Sequence, residues 1–316
     1  MSLLKTTIGS MVAMAILTAA ITIGCQQPVK PASEKAAAST LQIELQAIDS
    51  SMADCYLKAN ADSLVGFYDK AFTYLPEYEP PINKTGELQR FYAEWFKSQP
   101  LIFFNKQIYS VEKIADYVLE IGTFHMGYSK KLGLENYYNG KYMTMWKRDS
   151  LEKLKIISEA FGSDKYIKPE DMPYTSVVVE ETKKLEEVNI LSEKLRPEIE
   201  EFDKGVVKAV LTGDGEARAK EFTTDGIYMP HFDPMQVGMG MLRPYMLRTY
   251  TGSSITDVKD TFHEIFDTGD FVLLSGHFEV GFGKGGNKGS FEGNMSNLMK
   301  RGKDGKLLMY RQLAHN

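Results

Sequence analysis

The chain has 316 residues, 43% hydrophobic and 25% charged, the balance of a soluble globular protein with length for about two domains. A formal net charge of −5 excludes the basic face that a nucleic-acid binder needs. Past residue 25 no stretch is long and apolar enough to cross a bilayer as a helix.

At the N-terminus, Lys5 precedes an apolar run from Ile8 to Ile23 that closes on Gly24-Cys25, the pattern of a secretory signal rather than of a folded element. Thr22-Ile23-Gly24-Cys25 resembles a bacterial lipoprotein lipobox, with Thr22 where the family prefers Leu or Val. The resemblance implies a signal peptide over 1–24, acylation of Cys25, and a periplasmic or outer-membrane location in which the lipid alone touches the membrane. The other reading is a plain signal peptide with a chance cysteine. If Cys25 is acylated, Cys55 has no disulfide partner and reads as a small buried residue. Residues 25–40 are small, polar and Pro-containing, and are expected to form a tether.

From Leu41 the apolar residues Leu45, Ile48, Met52, Cys55 and Tyr56 recur at helical spacing. A second short helix carries Leu64, Phe67 and Tyr68, a strand runs from Phe72 until Pro76 stops it, and a helix after Gly86 carries Leu88, Phe91, Tyr92, Trp95 and Phe96. Four strand-like runs follow, ending with the hairpin Gly140 to Ser163. Helices gathered before an antiparallel meander predict an α+β domain over 41–165. Residues 166–193 read as a linker that includes a charged, solvated helix around Glu180 to Glu187, and 194–316 read as a second domain.

The second domain repeats the first. Gly140 to Ser163 aligns without a gap to Gly293 to Asn316, sharing the Lys-Arg and Lys-Leu pairs on either side of the turn. Upstream, at an offset of 154, Asp49 meets Asp203, Tyr74 meets Tyr228, Pro76 meets Pro230, and Gly122 and Phe124 meet Gly276 and Phe278. The chain is read as two copies of one fold.

The order of helix, short helix, strand ending in proline, glycine, helix and closing meander resembles the nuclear transport factor 2-like superfamily, in its SnoaL-like and ketosteroid-isomerase-like branch, also described as cystatin-like. The resemblance implies two cones, each a curved antiparallel sheet wrapped around helices with a pocket inside. It also implies positions for isomerase chemistry: a carboxylate base just before the first proline, and an acid on the strand before the final turn. Leu75 and Met229 stand at the first position, Thr144 and Asn297 at the second. None is an acid, so chemistry of that type is disfavoured in both copies.

Other candidates come from the residues themselves. His231 and Asp233, two apart after Pro230, could act as general acid and base or hold a metal, or could belong to a solvated loop, as could Glu77 and Glu79 in the first copy. His277 and Glu279 alternate with aromatic residues and are expected to face outward or into an interface, as is His125. His263 has no evident partner. No standard zinc spacing occurs, and neither a metal nor a cofactor is expected. The glycine-rich run from Gly281 to Gly289 leads into a strand, so it reads as a hairpin loop and not as a phosphate loop. Tyr74, Trp95, Phe124 and Thr144 in the first copy, and Tyr228, Phe278, Phe282 and Tyr310 in the second, are expected to line pockets for a flat or apolar ligand. Asn297 and Gln312 would be its polar anchors.

The sequence therefore points to a lipid-anchored protein that binds a small ligand or a partner without catalysis. The alternative is an isomerase- or lyase-type enzyme acting in the second cone. The two copies are further expected to pack sheet against sheet as a pseudo-dimer within one chain.

Overall fold

The computed structural model describes residues 32–129, 135–174, 195–284 and 287–316. The lipobox-like residues and the charged stretch from Glu180 to Glu187 lie outside them, as does the side chain of His263. Among the described residues no helix is long and apolar enough to cross a membrane.

The first unit runs α1 (Ala32–Leu57), α2 (Ala61–Val65), β1 (Tyr68–Leu75), α3 (Thr85–Ser98), β2 (Leu101–Ile114), β3 (Tyr117–Ser129), β4 (Glu135–Arg148) and β5 (Leu154–Ser163). The second runs α4 (Leu195–Leu211), α5 (Gly215–Lys220), β6 (Phe222–Met229), β7 (Gln236–Val237), α6 (Gly238–Tyr250), β8 (Ile255–Asp267), β9 (Phe271–Lys284), β10 (Asn287–Arg301) and β11 (Leu307–His315). The sheets are ordered β1-β5-β4-β3-β2 and β7-β6-β11-β10-β9-β8. Among the described residues only the first long strand of each unit, β1 or β6, pairs parallel, with the last strand of its own unit. Each unit is thus an antiparallel meander with its helices on one face, the α+β cone that the resemblance implied.

Repetition extends to details that only a shared backbone produces. Thr144 pairs with Glu120 and Glu159, and Asn297 pairs with Leu274 and Gln312, at offsets of 154 on β3 and 153 on β4 and β5. Bulges recur between Met145 and Trp146 on β4 and between Leu298 and Met299 on β10. Asn60 and Asp214 each cap the following short helix with a side-chain oxygen. Positive-φ residues match as well: Ala59, Ala115 and Glu152 stand where the second unit has Gly213, Gly269 and Gly305. Glycine takes that conformation freely, so the first unit holds strain at three turns that the second does not.

Two segments depart from the sequence expectation. Helix α1 already begins at Ala32, inside the stretch read as tether. Ala-Ser-Glu-Lys-Ala-Ala-Ala is rich in strong helix formers and propagates the helix backward from the packed residues. Part of the linker is not free either. Met172 and Tyr174 are buried in the first unit's core, and Tyr174 stands edge-on to Trp95 with ring centroids 5.2 Å apart.

Alternation along the strands gives each sheet two apolar faces. The concave face of the first carries Phe124, Tyr142, Trp146 and Phe161, packed against Leu45, Met52 and Tyr56 of α1 and Tyr92 and Trp95 of α3. The convex faces of the two sheets share a separate core: Leu75, Leu119, Ile121, Met143 and Ile157 meet Met229, Leu273, Leu298, Tyr310 and Leu313. The bulges feed this contact, because each places two consecutive residues on the convex side, Ile157-Ser158 and Tyr310-Arg311. Ser158 Oγ lies 3.4 Å from Ser275 Oγ, and Arg311 Nη2 donates to Glu112 Oε1 at 2.5 Å.

Candidate functional site

The interiors of the two cones are built on equivalent positions with different chemistry. In the first, Lys106 of β2 reaches Asp49 Oδ1 of α1 at 2.6 Å and Glu120 Oε1 of β3 at 3.5 Å, with its ammonium 4.1 Å from the centre of the Tyr142 ring. Glu120 also accepts from Tyr142 OH at 2.5 Å and Trp146 Nε1 at 2.9 Å. Glu159 accepts from Tyr68 OH, and from Thr144 Oγ1 at 3.3 Å. Tyr68 and Tyr56 hydroxyls meet that of Tyr92 at 2.8 and 3.2 Å.

Burial opposes the Lys106 ammonium, but Glu120 and Asp49 outweigh it and hold its pKa above the ordinary value. Burial pushes Asp49 up to about 7 against the pull of Lys106. Burial likewise raises Glu159, which is fully enclosed among tyrosines. Every charge here is answered by a neighbour, apart from Asp49 Oδ2, which has no partner. Tyr74, Trp95, Phe124 and Thr144, expected to line a ligand pocket, are all at most 3% exposed and packed among other side chains. The segment around Tyr174 lies over them: its hydroxyl donates to the Glu77 carbonyl at 3.1 Å, and Tyr128 OH donates to the Asp171 carbonyl.

In the second unit Lys106 is replaced by Asp260, Glu120 by Leu274, Glu159 by Gln312 and Leu64 by Arg218. The cation has moved from the sheet to helix α5. Arg218 is 3% exposed, its guanidinium carbon stands 4.9 Å over the Phe222 ring, and Nη2 donates to Gln312 Oε1 at 2.9 Å. Gln312 Nε2 in turn donates to Asn297 Oδ1 at 3.0 Å, so the two expected anchors are joined. Arg218 Nε and Nη1, both buried, have no hydrogen-bond partner. Asp203 of α4 and Asp260 of β8 lie near enough for each to perturb the other's carboxyl. Burial, then Asp203, raises Asp260 to about 7, partly offset by Arg218.

Tyr228 and Tyr245 stack edge-on at 5.7 Å on this same concave side. Phe278 is half-buried, and its ring lies 6.1 Å from that of Phe291. Their first-unit equivalents, Phe124 and Tyr138, are 3% and 1% exposed, whereas Phe291 is 40% exposed.

Three expectations about single residues need correcting. Tyr310 does not enter the second cone. The bulge turns it to the convex face, where its hydroxyl donates to Glu112 Oε2 of the first unit at 2.5 Å. Phe282 is 43% exposed near the tip of the β9–β10 hairpin, where it pairs with Gly289, so it belongs to the rim and not to the wall. Glu77 is no solvated loop residue. It is fully buried and accepts from Tyr138 OH at 2.8 Å, Ser163 N at 2.9 Å and Ser163 Oγ at 2.6 Å. Leu75 and Met229, the positions of the missing base, lie in the core between the sheets rather than in either cone.

His231 and Asp233 are not brought together. Phe232 between them has φ +58°, and the turn sends the neighbours apart. His231 Nε2 faces Glu77 Oε1 at 3.9 Å, while Asp233 Oδ2 accepts from Tyr245 OH at 3.1 Å. Burial, with His315 and Lys141 adding to it, lowers His231 to about 3, too weak a base for proton abstraction near neutrality. His277 and Glu292 approach to 3.4 Å at the surface, and His125 is exposed beside Phe103. Among the described residues no cluster of His, Cys, Asp or Glu could hold a metal.

The residues missed by sequence reasoning are Asp203, Asp260 and Arg218. A signal existed: Asp260 interrupts the alternating apolar positions Val258 and Phe262, and it replaces a lysine of the first copy.

The Asp203–Asp260 pair gives a testable pH dependence. Folding raises Asp260 from 3.8 to about 7, so the native chain holds a proton that the unfolded chain has released, and stability falls as pH rises through that window. Asp260→Asn is expected to raise stability at pH 8 by about 2 kcal/mol, allowing for partial exposure, and to change it little at pH 4. Melting curves at the two pH values check this, and an equal effect at both would exclude the shared proton.

No family model matches the chain, and no curated protein matches it in sequence. Similar solved structures include a ketosteroid isomerase-like protein from Erwinia carotovora atroseptica, 12% identical, covering 37% of this chain and 92% of its own with a TM-score of 0.35. A putative dehydratase of the NTF2-like family from Streptomyces avermitilis is 13% identical over 38% of this chain and 94% of its own, TM-score 0.34. A cystatin-like domain of unknown function from Nostoc punctiforme is 14% identical over 39% and 78%, TM-score 0.34.

Proposed function

We propose that the second unit binds a small apolar or aromatic ligand inside its cone without transforming it, and that the first unit is a filled copy that supports it. The observation that carries this is the contrast at equivalent positions. The first interior is filled, its buried cation answered by Asp49 and Glu120 although Asp49 Oδ2 and Trp95 Nε1 go without partners, whereas the second keeps a buried guanidinium with two free donors beneath a partly exposed aromatic rim. Apolar walls with a few converging polar groups are how small-molecule sites are built. We further propose that Cys25 carries a lipid that holds the protein in the cell envelope, as the lipobox-like start suggests.

Native mass spectrometry of the full chain as purified, followed by amide exchange with and without the molecule it carries, tests the binding reading. Protection is expected along β8, β9 and β10 and not along β2, β3 and β4. Protection confined to the first unit would overturn it.

A second reading, proton-transfer catalysis of isomerase or lyase type, rests on two acids neighbouring each other on α4 and β8, Asp203 and Asp260, where burial and Asp203 push Asp260 up to about 7. Solvent deuterium incorporated into the bound molecule, lost in Asp260→Asn, would favour it.

A further inference from the structure

Resting on the binding reading above, we infer that the second cone is selective for a carboxylate-bearing ligand, whose acid group docks on Arg218 while its apolar body lies toward Phe278 and Phe291. The geometry begins with the partners of Arg218. Of its three guanidinium nitrogens only Nη2 is engaged, by the neutral amide oxygen of Gln312. Nε and Nη1 are buried and have no acceptor. Burial raises Glu221 and Asp260, and both stand near enough for the Arg218 charge to offset part of that rise, but among the described residues neither hydrogen-bonds to it. A desolvated cation with open donors is costly unless an acceptor meets it, and a charged acceptor makes roughly twice as strong a hydrogen bond as a neutral one.

The surroundings define the rest of the ligand. Gln312 is held by Asn297, which fixes the amide oxygen toward Arg218 and turns the amide NH2 away from the open donors. The site therefore offers donors, and a group that brings acceptors and negative charge completes it. A carboxylate does both, and it makes a stronger hydrogen bond to the guanidinium than a neutral carbonyl would. On the same concave face Tyr228, Tyr245 and Phe278 supply flat apolar surface. The first unit serves as an internal control, because Leu64 occupies the place of Arg218 there and is fully buried. Leucine is thus compatible with the fold at this position.

The test uses the full chain and a matched pair of probes, 2-naphthylacetate and its neutral amide, followed by probe fluorescence and by calorimetry. The acid is expected to bind at least tenfold more tightly than the amide. Arg218→Leu should bring the acid down to the level of the amide and leave the amide unchanged, while Arg218→Lys, which keeps the charge, should retain part of the preference. Equal affinity for acid and amide in the parent chain would overturn the carboxylate inference and leave the binding reading standing. Persistence of the acid preference in Arg218→Leu would move the anion site elsewhere and overturn it as well. If neither probe binds, both this inference and the binding reading fail for aromatic ligands of this size.

Discussion

Replacing Lys106 by Met is expected to cost about 3–5 kcal/mol, enough to unfold a large fraction of a marginally stable chain at 37 °C. Among the described residues Lys106 is the only cation paired with Asp49 and Glu120, 2.6 and 3.5 Å away, and the side chains of all three are nearly or wholly removed from water. Removing it leaves two carboxyls without a counter-charge, while Tyr142 and Trp146 remain fixed on Glu120. The loss comes from the stranded acids and not from a missing attraction, so neutralising them should restore stability. Asp49→Asn and Glu120→Gln, combined with Lys106→Met, remove the stranded charges, leave an amide oxygen to accept from Trp146 Nε1 and an amide NH2 that can donate to the Tyr142 hydroxyl, and are expected to return the chain to within about 1 kcal/mol of the parent. Urea unfolding of the single and triple variants measures both effects. A single-variant loss below about 1 kcal/mol would show that water, or a shift of the side chains, already screens the cluster.

This cluster also marks where the sequence stopped being legible. The α+β order, the duplication and the closing hairpin could be read because glycines, prolines and strand alternation leave periodic marks. The turn from Gly302 to Lys306 forms as the Lys-Asp-Gly-Lys pattern predicts, with Asp304 Oδ1 accepting from Lys306 N at 3.2 Å. Alternation fails where a bulge inserts a residue, and no local pattern announces one. Tyr310 was placed in the wrong layer for that reason, and Arg311 beside it is buried against the other unit. Glu77 was misjudged because a charged residue in a Pro-flanked turn ordinarily faces solvent, whereas here Ser163, Tyr138 and the second unit close over it. That Asn297 and Gln312 face each other is legible in the closing hairpin, whereas Arg218, which reaches Gln312, sits on a six-residue helix whose inner face has too few turns to show a period.

Heating the intact chain is expected to give one cooperative transition, with calorimetric and van't Hoff enthalpies equal, although it is built from two units. Each unit contributes fully buried residues to the core between the sheets: Leu75, Leu119, Ile121 and Ala160 from one, Met229 and Leu313 from the other. Separating the units would expose that layer on both and strand Arg311, which pairs with Glu112 across the boundary. Burying one leucine side chain stabilises by about 1.5–3 kcal/mol, so a layer of this size outweighs the stability of a single small domain. A charge placed in the layer should uncouple the halves. Leu119→Asp is expected to cost at least about 4 kcal/mol and to split the single transition into two, because its carboxylate can reach water only if the sheets part. Calorimetry of both chains distinguishes the outcomes. Two transitions in the parent chain would mean that the convex layer holds the units together without making either depend on the other. The Arg218 cone would then be stable in isolation, as a first unit serving only as its support would not predict.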